Sequence, residues 1–225
     1  MNIFRGVAIA ILLAFAVPVL AQKPEPSPTQ KPAPASASAD DRVTIKTKFT
    51  AKDYEDMLER AKKSDPTVDY AAMRMAYTET EDYSPYGGST ERRKMFAELT
   101  EKKYKESLAS AEAFLKTNFV DVEAHYCAWQ SALGLKDEAK TKFHENTFRS
   151  LMDAIFEYDG LTAKTAMLSI GISEQYFVMG VLGYQRRSKG LVREEGSIFD
   201  VHDAENKDGE TRKFYFNIDK VFGRF

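Results

Sequence analysis

The chain has 225 residues, a formal net charge of −2 and 43% hydrophobic residues, as in ordinary globular proteins. This length suits one domain, or one domain with an appendage. Because the charge is nearly balanced, a generally basic surface is excluded and no binding to nucleic acid is expected.

The first 21 residues have the layout of a secretory signal peptide. Arg5 gives the short N-terminal region a positive charge, and residues 6–20 are almost continuously apolar. Ala21 ends a stretch suited to cleavage by a signal peptidase. The alternative is a membrane anchor, but the apolar run is shorter than the ~20 residues of a spanning helix. We therefore expect cleavage near Ala21, a secreted or periplasmic location, and no stable membrane insertion afterwards.

Residues 22–41 contain five prolines followed by an Ala-Ser-Ala-Ser-Ala run. Such a segment lacks large apolar residues that could offset the entropy of ordering, so it is predicted to be a disordered linker. The alternative is a peptide ligand for a polyproline-binding module. The remaining residues, 42–225, are predicted to form a single domain.

Apolar spacing predicts helices between residues 50 and 158. Pro66 ends the first helix, and a loss of phase near Thr100 ends the third. The predicted N-terminal caps of the first three helices are Thr50, Asp69 and either Ser89 or Thr90.

An antiparallel helical hairpin is predicted next, with a third helix running from Lys136 to Asp159-Gly160. Two apolar stripes with the same helical spacing define the hairpin. The first stripe consists of Tyr104, Leu108, Ala111 and Leu115, and the second consists of Val122, Tyr126, Trp129 and Leu133. Two striped helices joined by a short loop are expected to pack face to face.

Residues 163–217 are predicted to be mainly β. An apolar helix, Glu174 to Leu182 with Ser173 as its cap, interrupts them, and a hairpin turn lies at 206–209. The predicted strands are 165–170, 184–187, 191–193, 197–202 and 212–216. Helices followed by strands indicate an α+β fold, here a helical hairpin bundle followed by a small antiparallel sheet.

The hairpin resembles one degenerate tetratricopeptide repeat. The residues that carry this resemblance are Tyr104, Ser107, Leu108, Ala111, Phe114, Leu115 and Glu123 to Tyr126. Trp129 departs from the pattern, since such repeats place small residues there, and the connection at residues 134–136 is too short. The resemblance implies one repeat and no array.

A broader resemblance rests on four segments: residues 69–77, the Tyr83-Ser84-Pro85-Tyr86 loop, residues 172–176 and residues 216–219. Together they are similar to DUF4919, a family of exported bacterial proteins. The resemblance implies export and a single domain. The family has no assigned activity, so the resemblance implies no site.

Four candidate binding residues surround one helix end and loop, namely Arg74, Tyr77, Tyr83 and Tyr86. Aromatic rings and an arginine on a loop can bind a sugar, a peptide or a partner helix. The favoured alternative is that the tyrosines pack across the helical core.

Other chemistry has weaker support. Gly87 to Thr90 precede a helix with Arg92, which could bind an anion, although an ordinary helix cap is favoured. His125 and His144 could approach each other, but two unrelated histidines are favoured. Cys127 fits a buried apolar residue better than a nucleophile. We expect no metal, no cofactor and no catalytic residue.

Two hypotheses follow. The favoured one is a non-catalytic helical interaction module that binds a protein or peptide partner. The alternative is a hydrolase, or a protein that binds a small ligand, with its site in the cleft between the helical and β parts. Arg74, Tyr77 and Glu174 are the candidate residues of that cleft.

Overall fold

A computed structural model describes residues 48–222. The predicted signal peptide, 1–21, and the predicted linker, 22–41, lie outside the described residues. Within residues 48–222, no helix is both long enough and apolar enough to cross a membrane.

The helices come first and the sheet follows, so the predicted α+β class is confirmed. Between residues 48 and 222 the helices are α1 (Ala51–Lys62), α2 (Tyr70–Tyr77), α3 (Ser89–Thr100), α4 (Tyr104–Phe114), α5 (Val122–Leu135), α6 (Glu138–Ile155), α7 (Ile172–Val181) and α8 (Asp219–Phe222). The strands are β1 (Met167–Leu168), β2 (Tyr184–Glu194), β3 (Ser197–Asn206) and β4 (Thr211–Asn217), and a 3-10 turn covers Ala163–Thr165.

Two of the three predicted caps are confirmed. Thr50 and Asp53 exchange hydrogen bonds as a capping box, and Asp69 accepts from the N–H of Ala72. The third helix differs, because Ser89 is already helical and Gly88 is the cap residue. Gly88 has a φ of 76°, and a Cβ there would collide with the Phe114 ring, so only glycine fits this close approach.

The predicted hairpin is formed by α4 and α5. Tyr104, at the start of α4, lies against Gly134, near the end of α5, so the two helices run antiparallel. From α3 to α6, each helix packs on the next one: α3 on α4, α4 on α5, and α5 on α6. Close approach at Gly134 is possible because glycine leaves room for the Tyr104 ring.

The sheet has the strand order β1-β4-β3-β2. Strands β2, β3 and β4 form the predicted antiparallel ladder, but β1 runs parallel to β4, so the sheet is mixed and the prediction of a purely antiparallel sheet needs correcting. A parallel partner requires a long crossover, and residues 169–210 supply it through α7 and the β2–β3 hairpin.

Several element boundaries also differ from the predictions. The predicted strands 184–187 and 191–193 are parts of one strand, β2, with a bulge between Arg186 and Ser188. Its residues are largely exposed on both faces, so no hydrophobic alternation marks it as continuous. The predicted strand 165–170 is shorter in the structure, where only Met167–Leu168 form β1. The helix α7 starts after Gly171 rather than after Ser173.

The main core lies between the helices and the sheet. Phe148, Leu151 and Met152 of α6 are fully buried, as are Phe214 and Phe216 of β4, and all belong to one apolar cluster. A smaller cluster lies among α3, α4 and α5 and includes the buried thiol of Cys127, whose pKa is raised by burial. Cys127 is therefore a packing residue, as the sequence favours.

Candidate functional site

A buried ion pair joins α2 to the β1–α7 segment. Arg74 Nη2 lies 2.7 Å from Glu174 Oε1, and the two residues are 100 positions apart in the chain. The same nitrogen donates to the carbonyl of Leu168 at 3.0 Å, and Glu174 accepts from the N–H of Ile170 at 3.3 Å. These extra bonds offset part of the cost of burying two charges.

A second group of charges links α3 to the start of α5. Arg92 donates from Nε to Asp121 Oδ2 at 3.0 Å and from Nη1 to the carbonyl of Gly87 at 2.6 Å. Its Nε also lies 3.2 Å from Glu123 Oε1. Asp121 has a further role, since its Oδ1 caps α5 by accepting from the N–H of Ala124 at 2.7 Å.

A cavity lies between these two groups of charges, where the helical part meets the β1–α7 segment. Its volume is ≈ 20 Å³, which is room for about one water molecule. The charged and hydroxyl-bearing residues that line it are Tyr77, Tyr83, Ser84, Arg92, Asp121, Glu123, Ser173 and Glu174. We call these residues, together with Arg74, the charged cleft.

The charged cleft holds three carboxyl groups and two guanidinium groups, and burial is the main cause of the raised pKa values of two of these carboxyl groups. Burial, followed by the nearby charge of Asp121, raises the pKa of Glu123 to about 7, against the opposing effects of Arg92 and a hydrogen bond with Ser173. Burial also raises the pKa of Glu174. A carboxyl group that titrates near neutral pH can accept or donate a proton.

The sequence candidates Arg74, Tyr77, Tyr83 and Glu174 come together in the charged cleft, while Tyr86 does not line the cavity. Tyr77 and Tyr83 are buried, and their ring centroids lie 5.7 Å apart in an edge-on contact. Their hydroxyls donate to the carbonyls of Asp82 and Lys220, respectively. Both rings thus pack in the core, whereas Tyr86 is 55% exposed.

Sequence reasoning missed the carboxylates Asp121 and Glu123 and the hydroxyl of Ser173. Asp121 is recognisable only as a helix cap, and Glu123 follows it on the first turn of α5. The sequence suggests Arg92 as part of an anion site at the start of α3. The structure instead shows its guanidinium held by carboxylates of α5, so it is not positioned to bind an anion there.

The two helical histidines are in contact, contrary to the favoured interpretation of unrelated residues. Nδ1 of His125 lies 3.1 Å from Nδ1 of His144, and Nε2 of His125 lies 2.9 Å from the carbonyl of Phe119. Burial lowers the pKa of both imidazoles, that of His125 to about 3. Among the described residues, no three His, Cys, Asp or Glu side chains form a group that could hold a metal ion.

A cluster of aromatic rings lies where α3, α5, α6 and α7 meet. The ring of Phe148 is buried at its centre, within 5.6 to 6.3 Å of three of the others. We call the four partly buried rings around it, Phe96, Tyr126, Trp129 and Phe177, the aromatic surface. The guanidinium of Arg149 lies 5.6 Å from the Trp129 ring centre.

A family model described as a domain of unknown function, DUF4919, matches residues 42–224. The chain belongs to the DUF4919 family. This match includes every described residue, so the helical part, the sheet and the charged cleft all belong to the family's domain. Comparisons with curated proteins and with solved structures found no match.

The ion pair in the charged cleft gives the first prediction. Arg74→Met leaves the Glu174 carboxylate buried without its partner, so we expect the free energy of unfolding to fall by about 3–5 kcal/mol at pH 7.5, measured by urea denaturation. The double variant Arg74→Met/Glu174→Leu removes both charges and should recover most of that loss. If the double variant lost as much as the two single variants combined, the pair would have no coupling and the interpretation would be wrong.

The second prediction concerns Glu123. The ¹³C chemical shift of its carboxyl group should titrate with a midpoint near pH 7, well above that of an ordinary Glu. Because the folded pKa is raised, the folded state binds the proton more tightly, and stability should decline as pH rises from the unfolded pKa through the folded one. Glu123→Gln should remove this decline, which urea denaturation at pH 5 and pH 8 would measure. A midpoint below pH 5 would contradict the prediction.

Proposed function

We propose that the chain is an exported, non-catalytic module that binds a protein or peptide partner. The layout of residues 1–21 supports export. The observation that carries the binding role is the aromatic surface, four rings left partly exposed at the junction of four helices. The partner is expected to cover these rings with apolar side chains.

The composition of the aromatic surface suits protein recognition. Tryptophan, tyrosine and arginine are the residues most enriched among those that dominate binding energy, and Trp129, Tyr126 and Arg149 lie together here. Each ring is already packed on its neighbours, so little side-chain entropy remains to be lost on binding. The surface is therefore preorganised for a partner.

The charged cleft supports a structural role better than catalysis. Its cavity of ≈ 20 Å³ is far below the ~300–1,000 Å³ of pockets that enclose small ligands. Both guanidinium groups are engaged by carboxylates of the same chain. A substrate would have to displace these ion pairs before it could reach Glu123.

Trp129→Ala provides the test of the aromatic surface. The mature protein, residues 22–225, would be used to capture a partner by cross-linking from the native envelope or secreted fraction. We expect one dominant partner, whose affinity for Trp129→Ala is at least about 30-fold weaker, since loss of a hot-spot residue costs about 2 kcal/mol or more.

The matched control is Tyr86→Ala, which removes an exposed ring outside the aromatic surface and should leave affinity unchanged. Tyr83→Ala is unsuitable, because that ring is buried. Circular dichroism and thermal melting would verify that each variant is folded. Equal affinity for Trp129→Ala and wild type, or no protein partner at all, would contradict the proposal.

A second candidate function is supported by the pKa of Glu123 beside the hydroxyl of Ser173. A carboxyl group near neutrality next to a hydroxyl could act in a hydrolase, or could bind a small polar ligand. The candidate residues of this site are Arg74, Tyr77, Glu123, Ser173 and Glu174.

Thermal-shift screening with small polar compounds would distinguish this second function. A ligand of the charged cleft should raise the melting temperature of the wild type and leave that of Glu123→Gln unchanged, while Trp129→Ala should respond like the wild type. A ligand that stabilised Glu123→Gln equally would place its site elsewhere.

A further inference from the structure

The contact between His125 and His144 has one arrangement of hydrogen atoms that suits two neutral rings. Nε2 of His125 lies 2.9 Å from the carbonyl of Phe119, and a carbonyl only accepts, so this nitrogen carries a hydrogen. Nδ1 of the same neutral ring then accepts. Nδ1 of His144, 3.1 Å away, must donate, which leaves Nε2 of His144 without a hydrogen. We call the two residues in this arrangement the histidine pair.

The histidine pair can take up one proton and keep its contact, but a second proton breaks it. A proton on Nε2 of His144 leaves the two Nδ1 atoms as they are and faces Glu112 Oε1, 3.7 Å away. A proton on Nδ1 of His125 gives both Nδ1 atoms a hydrogen, so neither can accept. Two positive rings in a buried contact also repel each other, so the rings must then separate.

The groups around the pair do not supply a full counter-charge for two positive rings. Glu112 of α4 already pairs with Lys140 at 2.7 Å, and the positive charge of Lys140 opposes protonation of His144. Asp137, the cap residue of α6, adds a negative charge that favours it. The nearby titratable groups of α1 and α2 are two tyrosines that stay neutral, because burial raises their pKa values, namely Tyr54 and Tyr70.

The pair joins the same two helices that carry part of the aromatic surface. His125 and Trp129 are four residues apart on α5. His144 and Phe148 are four residues apart on α6. Residues at this spacing lie on the same side of a helix, and the rings of Trp129 and Phe148 are 5.6 Å apart. Separation of the two histidines therefore also separates the helices on which these rings pack.

We propose that the histidine pair is an acid-sensitive contact that controls the aromatic surface. At neutral pH the pair holds α5 against α6 and keeps the rings packed. When both imidazoles carry an extra proton, the two helices separate at this point and the surface loses its shape. The proposal rests on the binding function proposed above, because it describes the regulation of that surface. A partner bound at neutral pH would be released in acid.

The direction of the pH dependence follows from the pKa values of the two rings. Burial lowers the pKa of His125 to about 3 and also lowers that of His144, so the closed contact binds protons more weakly than the open one. An exposed imidazole has a pKa of about 6.5. The closed contact is therefore fully stable above about pH 6.5 and loses stability as pH falls below that value toward the lowered pKa values.

Imidazole ¹⁵N NMR of the mature protein, residues 22–225, tests the arrangement of hydrogen atoms without any partner. At pH 7.5 we expect a neutral His125 with its hydrogen on Nε2 and a neutral His144 with its hydrogen on Nδ1. A neutral His144 with its hydrogen on Nε2, or a charged ring in either residue, would overturn the proposal.

Trp129 is the only tryptophan of the chain, so its fluorescence reports whether the rings stay packed. We expect its emission to move to longer wavelength as pH falls from 7.5 to 4.5, while far-UV circular dichroism changes little. His144→Asn keeps a side-chain N–H donor but cannot take up a proton, so the change should become less steep by up to about one proton. An unchanged emission, an unchanged steepness, or a parallel loss of dichroism would contradict the proposal.

The matched control is His202→Gln, which removes the third histidine of the chain. His202 is also buried, and burial lowers its pKa to about 4, but it lies on β3 and bonds to Gln175 of α7. The emission change of this variant should be as steep as that of the wild type. If His202→Gln flattened the change as much as His144→Asn, acid would act on the whole fold and the proposal would be wrong.

A partner captured through the aromatic surface gives the last test. Between pH 7.5 and pH 5.0 its affinity for the wild type should fall at least about tenfold, since one proton taken up changes an equilibrium about tenfold per pH unit. The fall should be smaller for His144→Asn. Equal affinity at both pH values would refute the regulation and leave the binding function standing. The absence of any partner would contradict the binding function alone, because NMR and fluorescence decide the acid-sensitive contact without one.

Discussion

The ion pair between Arg74 and Glu174 is the constraint on which the junction of the two parts of this fold depends. Arg74 is 1% exposed, and its partner is 100 positions away at the start of α7. Two buried charges are stable only when both are present and hydrogen-bonded. The pair therefore fixes how α2 lies against the segment that follows β1, and the hydrogen bond to Leu168 ties the same arginine to the sheet.

The second charged group depends on this arrangement. Arg92 and Asp121 join α3 to α5, and the approach of α7 brings Glu174 and Ser173 to the same cavity as Glu123. Three carboxyl groups then share two guanidinium groups, which leaves one carboxyl without a full counter-charge. Glu123 is the group whose pKa is raised to about 7. Burial of this carboxyl group is the main cause of the raised pKa, and the nearby charge of Asp121 adds to it.

The aromatic surface shares no residue with the charged cleft. Its four rings pack on one another and on the core, and each stays partly exposed, which is the basis of the proposed binding to a partner with apolar side chains.

The sequence by itself determined the elements that local chemistry controls. Capping by Thr50 and Asp69, the α4–α5 hairpin and the turn before β4 were all predictable, because each depends on residues that are neighbours in the chain. The sequence resembles the DUF4919 family only in short segments. That resemblance agrees with the family match over residues 42–224.

Only the tertiary structure shows the features that depend on contacts between residues far apart in the chain. The parallel pairing of β1 with β4, the contact of His125 with His144, and the meeting of Glu123 with Ser173 join residues from different elements. The continuity of β2 was hidden for another reason, since a strand exposed on both faces carries no hydrophobic alternation. Spacing along a sequence records which face of an element is buried, but it does not record which element covers that face.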